Sequence, residues 1–141
     1  MKLILKGLTD GKDVELAHEC GVDAIWISNH GGRQLDTSAA CIESLPYVRR
    51  QVIKLKSKME VYVDGGVQSG ADVFKCLALG ADFVFLGRGF LYSLVDGEAG
   101  IHKSFEILKA ELKTTMMLSG TRSISEIGPE NVIFEEPYTR L

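Results

Sequence analysis

The feature that most constrains this chain is an alternation. Four short apolar runs are each followed by a helix-like stretch: Leu3 to Leu5, Ala24 to Ile27, Val61 to Val63 and Phe83 to Leu86. Strand and helix in strict turn predict an α/β fold with parallel strands. The runs are apolar throughout rather than alternating, which predicts strands buried on both faces. The helical stretches carry their own signals. Asp10 to Cys20 reads as a helix with Val14 and Ala17 facing a core, stopped at Gly21. Leu45, Val48, Val52 and Leu55 recur at helical spacing. Pro46 suits a first turn, which leaves room for a break into two pieces there. Ser69 and Asp72 form a capping-box pattern that opens a helix ending at Gly80. Ile101, Phe105, Leu108 and Leu112 make an amphipathic stripe, and residues 119–141 read as a polar, extended tail.

The residues capable of chemistry cluster behind the strands. Lys6 follows the first, Ser28 to Arg33 the second, Asp64 to Gly66 the third, and Gly87-Arg88 the fourth. In parallel α/β folds the loops at the C-terminal strand ends open on one face and build the site. The chain holds 15 glycines. Gly65, Gly66 and Gly87 either make tight turns or let the backbone approach a ligand and present N–H groups to it. Arg88 supplies a fork suited to phosphate, and Phe90 to Leu94 a short helix beside it. Lys6 is either a solvated loop residue or a cation that stabilises negative charge on a cofactor ring. His30, set between an amide and a glycine pair, suits a general base, and Arg33 suits a carboxylate clamp. Together they fit proton abstraction next to a carboxylate.

Composition removes other classes. Lys+Arg 16 against Asp+Glu 19 leaves a net charge of −3, a poor match for nucleic-acid binding. No apolar run approaches the ~20 residues of a membrane span, and the start lacks a secretory layout. Cys20, Cys41 and Cys76 are too few and too widely spaced for a disulfide framework or zinc site, and no metal site is expected. They read as small packed thiols, and His18 and His102 as structural histidines.

Ser28-Asn29-His30-Gly31-Gly32-Arg33-Gln34-Leu35-Asp36 resembles the signature of the FMN-dependent 2-hydroxy-acid oxidase and dehydrogenase family. Lys6-Gly7, Asp64-Gly65-Gly66-Val67, Asp72-Val73-Phe74-Lys75, Gly87-Arg88, Gly97-Glu98-Ala99-Gly100 and Leu118-Ser119-Gly120 match in order. The resemblance implies FMN as cofactor and oxidation of a small 2-hydroxy acid to a 2-oxo acid, with an oxidase favoured. It implies His30 as base, also touching substrate, and Arg33 on the substrate carboxylate. Lys6 would lie at the flavin ring edge, Ser28 against FMN and Asp64 on the ribityl chain. Gly65, Gly66, Gly87 and Arg88 would hold the phosphate region. Gln68 stands where the family usually has a phosphate-binding arginine, and Gly89 where it often has proline.

The resemblance also implies a fold and its extent. A (β/α)8 barrel takes about 250 residues, and 141 residues supply four βα units. The chain is expected to be one unit over 1–141, the C-terminal half of a TIM (β/α)8 barrel and an incomplete catalytic unit. The other half would bring a substrate-binding tyrosine, more FMN contacts and the aspartate that orients the base. Open strand edges and an uncovered inner face predict pairing with that half or with a second copy. Two readings stand beside the enzyme: a non-catalytic FMN- or phosphate-binding half-barrel, and a degenerate interaction subunit. Thr139-Arg140-Leu141 resembles a weak peroxisomal address, so a peroxisomal or cytoplasmic location is expected.

Overall fold

The computed structural model describes residues 1–133; the Thr139-Arg140-Leu141 ending lies outside the described residues. Four strands form one sheet in the order β1-β2-β3-β4, with every neighbouring pair parallel. They are β1 (Ile4–Leu8), β2 (Ala24–Ile27), β3 (Glu60–Val63) and β4 (Phe83–Val84). The helices are α1 (Asp13–Glu19), α2 (Cys41–Lys54), α3 (Gly70–Ala78), α4 (Arg88–Ser93) and α5 (Gly97–Leu118). Sequential parallel strands joined by right-handed crossovers place their connecting helices on the same side of the sheet. The core follows from this: Ile25, Ile27, Val61 and Val63 pack on Val14, Ala17, Leu45, Val48, Val52 and Cys76.

The opposite face departs from burial on both sides and agrees with the uncovered inner face expected of four strands alone. Side chains of a parallel row project to one side, and Lys6, Trp26, Tyr62 and Phe83 are in register. None of them is buried, and Phe83 is 55% exposed. The central strands β2 and β3 therefore bury their large side chains on the helical side, while β1 is exposed up to Leu8. Aromatic contacts partly cover the other side: Trp26 stacks on Phe85 at 3.9 Å between centroids, and Phe83 tilts against Phe85 at 4.9 Å.

Four further expectations are corrected. Lys6 lies inside β1, not behind it, because the strand runs on to Leu8 through an irregularity between Lys6 and Leu8. Gly7, at φ +96, absorbs that shift with a backbone angle other residues resist. Pro46 does not divide its segment; α2 is continuous across it. The proline sits early in the helix and removes one backbone bond, while Leu45, Val48 and Val52 bury fully on the same face. The stripe on α5 is only partly covered, with Phe105 55% exposed. The tail is also less extended than expected, since Ile124–Glu126 and Pro129–Asn131 form 3-10 turns.

The capping box behaves as expected. Ser69 Oγ accepts from Asp72 N–H, and Asp72 Oδ2 accepts from the Ser69 backbone and hydroxyl. Burial works against the Asp72 charge, but the Ser69 hydroxyl and the Gln68 and Ser69 amides hold its pKa below the usual value.

Candidate active site

Loops from all four strands meet at one end of the sheet. Ser28, 3% exposed, follows β2 and places its hydroxyl at the centre. Lys6 Nζ donates to Ser28 Oγ at 2.7 Å, and the backbone N–H of His30 donates to the same oxygen at 3.2 Å. Lys6 Nζ also pairs with Asp64 Oδ2 at 3.1 Å and lies 4.8 Å from the Trp26 ring centroid. A side chain reaching out of β1 is thus fixed by β2, β3 and an aromatic floor.

The β2 loop carries His30. His30 adopts φ +56, followed by Gly31 at +69 and Gly32 at +74. Three left-handed residues in a row are costly for a chain that includes a histidine. Hydrogen bonds offset the cost. Asn29 Oδ1 accepts from Gly31 N–H, Arg33 Nε donates to His30 O at 3.0 Å, and Arg88 Nη2 donates to Gly31 O at 3.0 Å. Arg88 thereby straps the loop after β4 to the loop after β2.

Arg33 Nη2 lies 3.0 Å from His30 Nε2. A guanidinium can only donate, so this nitrogen accepts and the neutral ring carries its proton on Nδ1. The lone pair that would serve as base is covered by the arginine that would bind a carboxylate. Among the described residues, no carboxylate pairs with His30.

Of the residues singled out from sequence, the structure brings together Lys6, Ser28, His30, Arg33, Asp64 and Arg88. Gly65 joins them: a Cβ there would meet Cys41 Sγ at 3.3 Å and Asn29 Oδ1 at 3.4 Å. Gly66, Gly87 and Gly89 face open space at the position of a Cβ, as a cradle for an approaching ligand requires. Gln68 is exposed, and its N–H is spent on Asp72 Oδ2. Arg88 is the first residue of α4, so the short helix begins two residues earlier than expected. No cluster of three potential metal ligands occurs among the described residues. A groove of about 690 Å³ includes none of these residues. Lys2, Asp23, Met59 and Glu60 line it at the other end of the strands.

Three contributors escaped sequence reading. Asn29 was visible only as part of the motif, Cys41 as a packed thiol and Trp26 as one letter of an apolar run. Nothing in the spacing links Cys41 to His30; only the fold brings the start of α2 beneath the loop.

The comparisons agree with this arrangement. Residues 1–134 match the family model described as FMN-dependent dehydrogenase. Over 135 residues the chain is 48% identical to 2-hydroxyacid oxidase 2 of Rattus norvegicus, covering 95% of this chain and 37% of that protein. It is 46% identical over 141 residues to glycolate oxidase 3 of Oryza sativa subsp. indica, covering 99% and 38%. Its structure superposes on the recombinant flavin-binding domain of baker's yeast flavocytochrome b2 with a TM-score of 0.88 and 39% identity, covering 98% of this chain and 38% of that one. The chain thus spans less than two-fifths of the length of these relatives. Parallel fold, His30 loop and sequence converge, and the chain belongs to the FMN-dependent dehydrogenase family.

Proposed function

We propose that this chain contributes the base-bearing half of a (β/α)8 barrel that oxidises 2-hydroxy acids to 2-oxo acids, with FMN as electron acceptor. The observation that carries the reading is the meeting of Lys6, Ser28, His30, Arg33, Asp64 and Arg88 at one end of the strands. Two features support the half-barrel: the sheet order never reverses, and the face bearing Trp26, Tyr62 and Phe83 lacks a covering layer among the described residues. Its complement is the other half of a barrel or a second copy. The names of the relatives support hydroxy-acid chemistry, with an oxidase favoured over a dehydrogenase.

The residues present fit FMN. Arg88, Gly65 and the open backbone at Gly66 and Gly87 would hold the phosphate region, Lys6 the ring edge, Ser28 and Asp64 the parts between. Gln68 offers an amide and no charge, which leaves phosphate neutralisation to Arg88. When bound, FMN supplies a two-electron acceptor.

The protein's own part is to bind the acid and move protons. A substrate carboxylate competes for the Arg33 guanidinium, a better partner for it than a neutral imidazole. Drawing Arg33 away uncovers His30 Nε2 and places the base beside the substrate carbon that bears the hydroxyl. His30 then accepts a proton. In sum, the 2-hydroxy acid loses two electrons and two protons and becomes the 2-oxo acid. Lys6, held between Ser28 and Asp64, would stand at the edge of the bound ring as a fixed cation.

The test is purification with FMN, followed by anaerobic addition of glycolate, lactate or a longer 2-hydroxy acid. A yellow protein that bleaches supports the enzyme. Yellow without bleaching would make it a binding module. A colourless dimer or aggregate would make it an interaction subunit.

A further inference from the structure

His30 is held in a left-handed conformation by a loop whose foundations lie outside the reacting groups. Asn29 precedes it and is bonded three ways. Its backbone N–H donates to Cys41 Sγ at 3.1 Å, its Nδ2 donates to Ala39 O at 3.3 Å, and its Oδ1 accepts from Gly31 N–H at 3.1 Å. Ala39 and Cys41 sit at the start of α2, and Cys41 is 2% exposed. A Cβ on Gly65 would touch both Cys41 Sγ and Asn29 Oδ1, so the brace also fills the space against the β3 loop. Burial pushes the Cys41 thiol up, with the Asn29 N–H opposing. A thiol so placed is a packed acceptor, not a nucleophile.

We infer that Asn29, seated on the buried Cys41 thiol, is the positioning residue that holds His30 in its working conformation. It touches neither substrate nor cofactor. It ties the His30 loop to the rigid start of α2 and aims the Gly31 N–H, which fixes the left-handed turn. Cys41 is the one acceptor for the Asn29 N–H among the described residues. Removing it leaves a part-buried donor unpaired, and loops respond to such losses by opening.

The inference rests on His30 acting as base, and its test separates the two. Backbone hydrogen exchange over residues 29–33 is measured in the FMN-loaded protein, for Asn29→Ala, Cys41→Ala and Cys41→Ser. Both alanine variants are expected to exchange about tenfold faster in this segment, one lost bond in free-energy terms. The amides of β2 and β3 should stay at parent rates, and FMN affinity should stay within about threefold. kcat should fall about tenfold in both. Cys41→Ser, which keeps an acceptor beneath the Asn29 N–H, should recover most of the protection and most of kcat. Parent exchange over 29–33 in either alanine variant overturns the inference. So does a serine variant as open as the alanine one. If His30→Ala leaves turnover of the complete assembly intact, the assignment of His30 fails while the exchange rates still decide the brace.

Discussion

Gly31 and Gly32 offer the sharpest test of how the rim is built. Both have positive φ, at +69 and +74. An alanine at either position bears the left-handed penalty of about 1–2 kcal/mol. Only Gly31 has a neighbour in the way. Its Cβ would lie 2.8 Å from Arg88 Nη2 and 3.4 Å from Arg88 Cζ, whereas Gly32 has nothing within 4 Å. The arginine tip can swing aside, but it then loses its bond to Gly31 O. Because Arg88 is exposed, that loss is worth about 1 kcal/mol rather than more. Gly31→Ala is therefore expected to cost about 2–3 kcal/mol and Gly32→Ala about 1–2. In a chain of this size each kcal/mol shifts Tm by about 3–4 °C. Thermal unfolding of both variants, repeated with Arg88→Ala, completes a double-mutant cycle. The excess at Gly31 should vanish once Arg88 is gone. Equal losses at the two glycines, or an excess that persists without Arg88, would refute the strap between the β2 and β4 loops.

Other consequences follow from particular residues. Lys56 has φ +50 behind α2; Lys56→Gly should stabilise by about 0.5 kcal/mol, seen as a higher urea midpoint. Cys20 is exposed while Cys41 and Cys76 are buried, with burial pushing the Cys76 thiol up to about 11. A thiol reagent should label one cysteine quickly in the folded protein and all three after unfolding. The folded pKa of Asp72 lies below the ordinary 3.8, held there by Ser69 and Gln68 against burial, and that of Asp23 is lowered by Lys2 and the Leu3 N–H. Their contribution is complete above the unfolded value and is lost as pH falls through the folded one, so urea midpoints should drop below about pH 4.

What the sequence made legible was whatever short-range chemistry decides. Ala24–Ile27 is a strand with the expected bounds, because an apolar run between polar residues leaves little choice. Ser69 and Asp72 announce α3 because a cap is satisfied within four residues. The signature around His30 places the loop, but not its left-handed turn or the arginine folded over its ring. The turn depends on Arg88, which bonds Gly31 O from 57 residues away, and on Cys41 beneath Asn29. Lys6 was misplaced by a bulge that no apolar pattern reports. An uncovered inner face was expected, but not which residues line it, because Trp26, Tyr62 and Phe83 look the same in a buried strand as in a half-covered one. Pattern reports hydrophobicity, while coverage depends on what else packs there.

The account stands most directly on His30. The decisive measurement is the anaerobic rate at which a 2-hydroxy acid bleaches the FMN-loaded protein assembled with its complementary half or second copy, compared with the same assembly carrying His30→Ala. The account predicts bleaching in the parent and a rate at least about 100-fold lower in the variant, the size expected for a lost general base, with FMN still bound. Equal bleaching rates in the two proteins would contradict it.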